Sequence, residues 1–395
     1  MNIFSKFYCR SVQFVFKLAI PFLPYRKPLI YNSIDELRSI FKNKKVLIVS
    51  DRGIEKAGII DKIVSILNKE DISYSLFLDT VPNPTISNVE AGLKVYLENN
   101  CECILAVGGG SPIDLGKVIG ARVVRGKKPV VKMRGLFKVM KKTPLIVAVP
   151  TTAGTGSEVT VAAVITNDET HEKYPINDFN LIPSIAVLDP SLTVGLPPHI
   201  TSTTGMDALT HAVEAYIGRS TTKETRRYAK LAVKLIVENI KEVYVNPTNI
   251  SARKNMLDAS HYAGIAFTVS YVGYVHSIAH SLGGKYNVPH GLANAVILPV
   301  VLKKYGKSVH KKIAQLAYYS GIAASDVNIC DACNLFINWI EETNKFMNIP
   351  DCFNVVKEED LNDLSSAASR EANPLYPVPV LYNKEELKEI YRKLK

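Results

Sequence analysis

The chain is 395 residues long, with 47% apolar and 22% charged residues and a formal net charge of +11. That composition excludes a disordered or low-complexity polymer, and the length is enough for two or three domains with a full core. The positive excess is concentrated in two places: residues 1–45 carry nine Lys/Arg against Asp35 and Glu36, and residues 117–142 carry ten with no acid.

A basic run such as 117–142 raises nucleic acid as a partner, but its only aromatic residue is Phe137. It lacks the interleaved rings of a stacking platform. A solvated face, or attraction of an anionic cofactor, is the expectation instead. Six scattered cysteines are too few for a disulfide scaffold of this size, so a reducing cytoplasm is expected. Cys330 and Cys333 form a lone C-x-x-C in a helix-like stretch and are given neither a redox nor a metal role.

Residues 1–40 are expected to form an N-terminal extension. Its apolar segment, 12–23, is interrupted by Lys17 and Pro21. The segment falls short of the ~20 residues a membrane span needs, and no small-residue cleavage site follows. It is predicted to be a helix packed on the protein's own surface, with no stable membrane insertion.

From residue 45 the apolar pattern alternates. Short β-branched runs at 45–50, 73–78, 103–107 and 145–149 predict strands, with further strands at 159–166 and 184–188. Amphipathic segments at 58–68, 87–98 and 114–124 predict the helices between them. Strands alternating with helices imply a parallel sheet covered on both faces. Beyond about residue 195 the texture changes to Ala- and Leu-rich helical periods over 204–217, 224–238, 250–266, 310–320 and 384–395. Residues 295–301 are the remaining β-branched run there. The division is therefore an extension (1–40), an α/β domain (41–192) and an all-α domain (193–395).

Two stretches of the helical part carry chemistry. In 205–216 (GMDALTHAVEAY), Asp207 and His211 stand four residues apart and project from one helical face. In 275–291 (VHSIAHSLGGKYNVPHG), His276 and His280 repeat that spacing, and His290 follows a Gly-Gly break and a turn. One carboxylate and several imidazoles make an N/O site suited to Fe(II) or Zn(II), and unlike a thiolate site. Spacing alone leaves open which of the five residues is not a ligand.

In the α/β part, Gly108-Gly109-Gly110-Ser111 lies between a strand and a helix, where backbone N–H groups and the helix N-terminus attract a phosphate. The loop 150–157 (PTTAGTGS) follows the next long strand, at the carboxyl end where cofactors bind. Asp51 ends the first strand and is a candidate acceptor for a ribose hydroxyl. An acid there repels a 2′-phosphate, which favours NAD over NADP, although Arg52 beside it opposes this.

These same residues carry a resemblance. GGGSPID (108–114), PTTAGTGSEVT (150–160), DPSLTVGLPPHITSTTGMDALTHAVEAY (189–216) and VHSIAHSLGGKYNVPHGLANAVILP (275–299) resemble the iron-containing (group III) alcohol dehydrogenase family. The resemblance runs from about residue 45 to the C-terminus. It implies the dehydroquinate synthase-like architecture: a Rossmann-like α/β domain with a parallel sheet, then an all-α metal-binding domain, with metal and nicotinamide meeting in a cleft. By matching position it implies metal ligands Asp207, His211, His276 and His290, and His280 as a non-ligand histidine near the nicotinamide and substrate. With an intrinsic pKa near neutrality, His280 is the candidate catalytic residue passing the alcohol proton towards solvent, the alternative being a residue that orients His276 or Asp207. It implies cofactor contacts at Asp51, Gly109, Gly110, Ser111, Asp114, Thr151, Thr152 and Lys173. The expected activity is hydride transfer between NAD (NADP less favoured) and a small alcohol or aldehyde held on Fe(II), or alternatively Zn(II). A homodimer is a further expectation.

Three other readings are weighed. A glycerol dehydrogenase-like polyol oxidoreductase shares the superfamily. A dehydroquinate synthase needs a cationic pocket, yet the two metal stretches hold only Lys285. A non-catalytic protein keeping the fold has no need of five intact metal-type residues.

Overall fold

The computed structural model describes all residues, 1–395. They form two compact units, residues 24–195 and residues 1–23 together with 196–395. The chain starts with helix α1 (Ile3–Ala19), which belongs to the second unit.

The unit of residues 24–195 is built on a six-stranded sheet. In chain order its elements are β1 (Leu29–Tyr31), the short α2 (Leu37–Ile40), β2 (Val46–Val49), the short α3 (Arg52–Lys56), α4 (Ile59–Lys69), β3 (Tyr74–Phe77), α5 (Ile86–Glu98), β4 (Cys103–Gly108) and α6 (Gly110–Val124). Then come β5 (Gly135–Leu136), β6 (Leu145–Pro150), β7 (Ala162–Thr166), β8 (Lys173–Asn177) and β9 (Ile185–Val187). The sheet order is β1-β9-β6-β4-β2-β3, and every pairing in it is parallel. All of β2 and β4 is buried, the signature of strands covered by helices on both faces. One face is filled by Ile59, Ile60, Ile63 and Leu67 of α4, whose spacing makes a single apolar stripe. The other is filled by Leu115, Val118 and Ile119 of α6.

Two sequence expectations need correction here. The run at 159–166 is not a strand of the parallel sheet. Its strand β7 runs antiparallel to β8, and with β5 these form a separate three-stranded sheet. The basic run 117–142 is not a solvated face or an anion attractor throughout, because much of it is spent on internal bonds. Lys117 is 0% exposed and donates to Ser157 Oγ (2.9 Å), Thr160 Oγ1 (3.0 Å), Thr160 O (3.1 Å) and Ala162 O (2.8 Å). Arg122 pairs with Glu90 at 2.6 Å and caps the carbonyls of Arg125, Gly126 and Lys128. Arg125 and Lys128 bond the carbonyls of Val139 and Lys138, and Arg134 pairs with Glu172.

The second unit is helical. It comprises α1 and then α7 (Pro198–Ile217), α8 (Lys223–Val245), α9 (Ile250–Ser270), α10 (Tyr274–Tyr286), α11 (His290–Tyr305), α12 (His310–Ser320), α13 (Ile329–Phe346), α14 (Leu361–Ala372) and α15 (Lys384–Lys393). The run at 295–301, β-branched by composition, is the middle of α11. Residues 293–299 are buried without a break, so this stretch is enclosed on every side and its sequence carries no 3.6-residue period to read. The N-terminal stretch is helical and touches this unit through Cys9 and Gln13, but Phe14, Val15, Leu18 and Phe22 of the apolar segment 12–23 are exposed and not packed inward. No helix of the chain is long and apolar enough to cross a membrane.

Candidate functional site

The metal-type residues converge inside the helical unit. Asp207 and His211 are one turn apart on α7, His276 lies in the first turn of α10, and His290 is the first residue of α11. One donor atom from each lies within 4.8 Å of all the others. Asp207, His211 and His276 are buried, while the His290 side chain is 39% exposed and gives the cluster its open side. The His211 ring stacks on Phe267, with centroids 4.1 Å apart.

A carboxylate buried as deeply as Asp207 requires a compensating charge. Burial pushes its pKa up, with His211 and a hydrogen bond from Asn294 acting against this. The Asn294 amide sits among the donors, 2.6 Å from Asp207 Oδ1, 3.3 Å from His276 Nε2 and 3.2 Å from His290 Nε2. One carboxylate and three imidazoles gathered this closely fit a four-coordinate divalent ion.

His276 is held from behind. Its Nδ1 lies 2.6 Å from Oε2 of Glu214, a residue of α7 that is itself buried. The same carboxylate accepts Gly273 N and Val275 N, each at 2.8 Å, and so caps α10. With two backbone donors already on it, the carboxylate accepts from the His276 Nδ1–H, which leaves a neutral ring its lone pair on Nε2. Burial, helped by His290 and His280, drives the His276 pKa well below its ordinary value in the same sense. Burial also lifts Glu214, to about 7. Gly273 is demanded here, because a Cβ on it would sit 2.7 Å from Glu214 Oε1.

His280 is not among the four. Its Nδ1 points to Glu371 Oε1 of α14 at 2.6 Å, and its ring stacks on His290 at 5.2 Å. Glu371 Oε1 also accepts the Tyr376 hydroxyl at 2.7 Å. Burial raises the Glu371 pKa, but His280 and Tyr376 outweigh it and hold the group below its ordinary value.

In the α/β unit the two glycine- and threonine-rich loops adjoin. Gly108 has φ +144°, a conformation open to glycine, and turns the chain from β4 into α6. Gly109 and Gly110 face Thr152 and Thr155, with Gly109 capping α6 and Ser111 in its first turn. Thr151 is buried and its hydroxyl has no partner within the protein, an unmet polar group suited to a bound cofactor. Asp114 faces inward, accepting Ser157 Oγ at 2.5 Å and Val164 N at 2.9 Å. Lys173 is exposed at the start of β8. Asp51 Oδ1 accepts Gly53 N and Ile54 N and so caps α3, while Arg52 is drawn aside by Asp79 (2.8 Å) and Glu55 (3.0 Å).

The chain is similar to known proteins along most of its length. Residues 29–190 match the model of the iron-containing alcohol dehydrogenases, and residues 201–395 match that of the Fe-containing alcohol dehydrogenase C-terminal family. The chain belongs to the iron-containing alcohol dehydrogenase family. Among relatives, it is 37% identical to a 1,3-propanediol dehydrogenase of Citrobacter freundii over 382 residues, covering 96% of this chain and 98% of that one. It is 35% identical to an NAD-dependent methanol dehydrogenase of Bacillus methanolicus over 327 residues, covering 82% and 86%. A crystal structure of 1,3-propanediol oxidoreductase superposes with a TM-score of 0.90 at 36% identity, covering 94% of this chain and 99% of that one.

Sequence reasoning missed Glu214, Asn294 and Glu371. Two were within reach: Glu214 continues the Asp207–His211 face at i+7, and Asn294 follows His290 at i+4. Glu371 lies 91 residues beyond His280 and has no local signal.

Proposed function

We propose that this family member is an NAD-dependent alcohol dehydrogenase and aldehyde reductase acting on small alcohols, with Asp207, His211, His276 and His290 holding Fe(II), or alternatively Zn(II). The observation that carries this reading is the convergence of those four donors within 4.8 Å, with Glu214 behind His276. When bound, such an ion supplies Lewis acidity to the alcohol oxygen, and the nicotinamide accepts the hydride.

The chain's own residues do the remaining work. Glu214 fixes the His276 tautomer. Asn294 ties Asp207 to the start of α11. His280, oriented by Glu371, receives the alcohol proton and hands it to solvent through its exposed edge. Gly109, Gly110, Ser111, Thr151 and Thr152 cradle the cofactor at the mouth of β4 and β6, with Asp114 bracing the neighbouring loop and Lys173 as a further cofactor contact. Asp51 takes the ribose hydroxyls. The Asp79 and Glu55 carboxylates that occupy Arg52 leave it less free to take a 2′-phosphate, which supports NAD. Six free cysteines fit a reducing cytoplasm.

The test is oxidation of NADH with short aldehydes by apo-protein reloaded anaerobically with Fe(II) or Zn(II), with NADPH in parallel. Turnover that depends on the ion, prefers NADH and is abolished together with metal content in His276→Ala supports the reading. Stoichiometric metal without turnover on any alcohol or aldehyde overturns it.

A further inference from the structure

Helix α1 lies outside both regions matched by the family models, which begin at residue 29. Its two faces are used in opposite ways. The inner face is fastened to the protein mainly by polar contacts. Gln13 Nε2 donates to Tyr376 O (2.7 Å) and Pro374 O (3.2 Å), and Arg10 donates to Val378 O (2.8 Å) and Pro379 O (2.9 Å). Cys9 is buried beside them, and Phe16 meets Tyr271 edge-on.

The outer face is apolar and aromatic. Phe4, Phe7, Tyr8, Phe14 and Leu18 recur at helical spacing on one side, and Phe22 extends the stripe beyond the helix. Their exposure runs from 57% at Leu18 to 87% at Phe22. This is the reverse of a helix that is merely packed on its own protein, whose apolar side faces inward. Lys6 and Lys17, eleven residues apart, are both exposed and share one edge of the helix, between the stripe and the Gln13 side. Arg26 and Lys27 follow, and the first acidic residue of the chain is Asp35.

We propose that α1 and Phe22 form an interfacial anchor that seats the protein on an anionic lipid surface. An exposed stripe of phenyl rings with lysines along one edge, on a segment that carries no acid before Asp35, matches an acyl boundary topped by negative headgroups. At 17 residues, with Arg10 and Gln13 committed inward, the helix lies along such a surface and does not cross it. A second copy is a poor occupant. Self-complementary pairing of the stripe would bring Lys6 and Lys17 of one copy against Lys17 and Lys6 of the other, with no carboxylate to neutralise them.

The test is flotation of the full chain with vesicles of phosphatidylcholine alone or with about one third phosphatidylglycerol. The expected result is binding to the anionic vesicles, weakened by high salt and weak on the neutral ones. The double variant Phe7→Glu/Phe14→Glu should lose roughly tenfold or more of that partitioning while keeping dehydrogenase activity, since both rings point away from the protein. Lys6→Glu/Lys17→Glu should abolish the preference for anionic lipid. The proposal is overturned if the wild-type chain stays in solution with every vesicle at low salt, or if the phenylalanine variant floats as the wild type does. It is equally overturned if Phe14→Glu only converts a dimer to a monomer in a protein indifferent to lipid.

Discussion

Glu214 Oε2 stands 2.6 Å from Nδ1 of His276, and this contact decides which imidazole nitrogen is left for an ion. A glutamine at 214 keeps the size but loses the charge, and its amide nitrogen replaces an oxygen that accepts a backbone N–H, so donor meets donor. Glu214→Gln is expected to weaken metal affinity by about 10- to 100-fold with the protein still folded. Metal content after dialysis against a buffered chelator, alongside circular dichroism, reads this directly.

Gly273→Ala offers a version of the same experiment that changes no polar group. The new Cβ would lie 2.7 Å from Glu214 Oε1 and 3.2 Å from its Cδ, so the carboxylate must move off its three donors. Metal affinity should fall in the same direction as in Glu214→Gln, and stability should drop by roughly 1–3 kcal/mol. Unchanged metal retention would show that the cap and the imidazole contact are separable.

Glu371→Gln separates the two histidine roles. Glu371 supports His280, which is outside the four-donor cluster. Turnover is expected to fall roughly tenfold while metal content stays at the wild-type level. Single-turnover kinetics with metal analysis on the same sample distinguishes this from the Glu214 effect.

The sequence was legible where a pattern is local. The alternating strands and helices of 45–150 and the i, i+4 pairs at Asp207–His211 and His276–His280 follow from periodicity, and the structure contains the elements that carry them. Spacing could not separate His280 from the ligand set, because its turn towards Glu371 depends on a helix 91 residues away. The helical state of 295–301 was illegible for a different reason. A segment buried on every side has neither a two-residue nor a 3.6-residue rhythm. Lys117 was misread because charge was taken as exposure, whereas four oxygens wait for it in the interior.

That lysine carries a pH signature. Burial pushes Lys117 down to about 8 from the ordinary 10.5, against the pull of Asp114 and Glu158. Between those values the unfolded chain binds the proton and the folded chain does not, so this group's contribution to stability rises with pH. As pH falls through about 8, the folded protein must hold a buried charge and that contribution is lost. Lys117→Met should cost about 3 kcal/mol near neutrality by leaving buried oxygens unpaired. The margin of the wild type over the variant should widen from pH 8 towards 10.5. Urea titrations of both proteins at several alkaline pH values check the slope.

The way α1 is fastened makes its dock tolerant of substitution. Four of its hydrogen bonds end on main-chain carbonyls of residues 374–379. A carbonyl is supplied by any amino acid, so the receiving surface needed no matching side chains for these bonds. Substitutions within residues 374–379 that keep the backbone path therefore leave these four bonds in place.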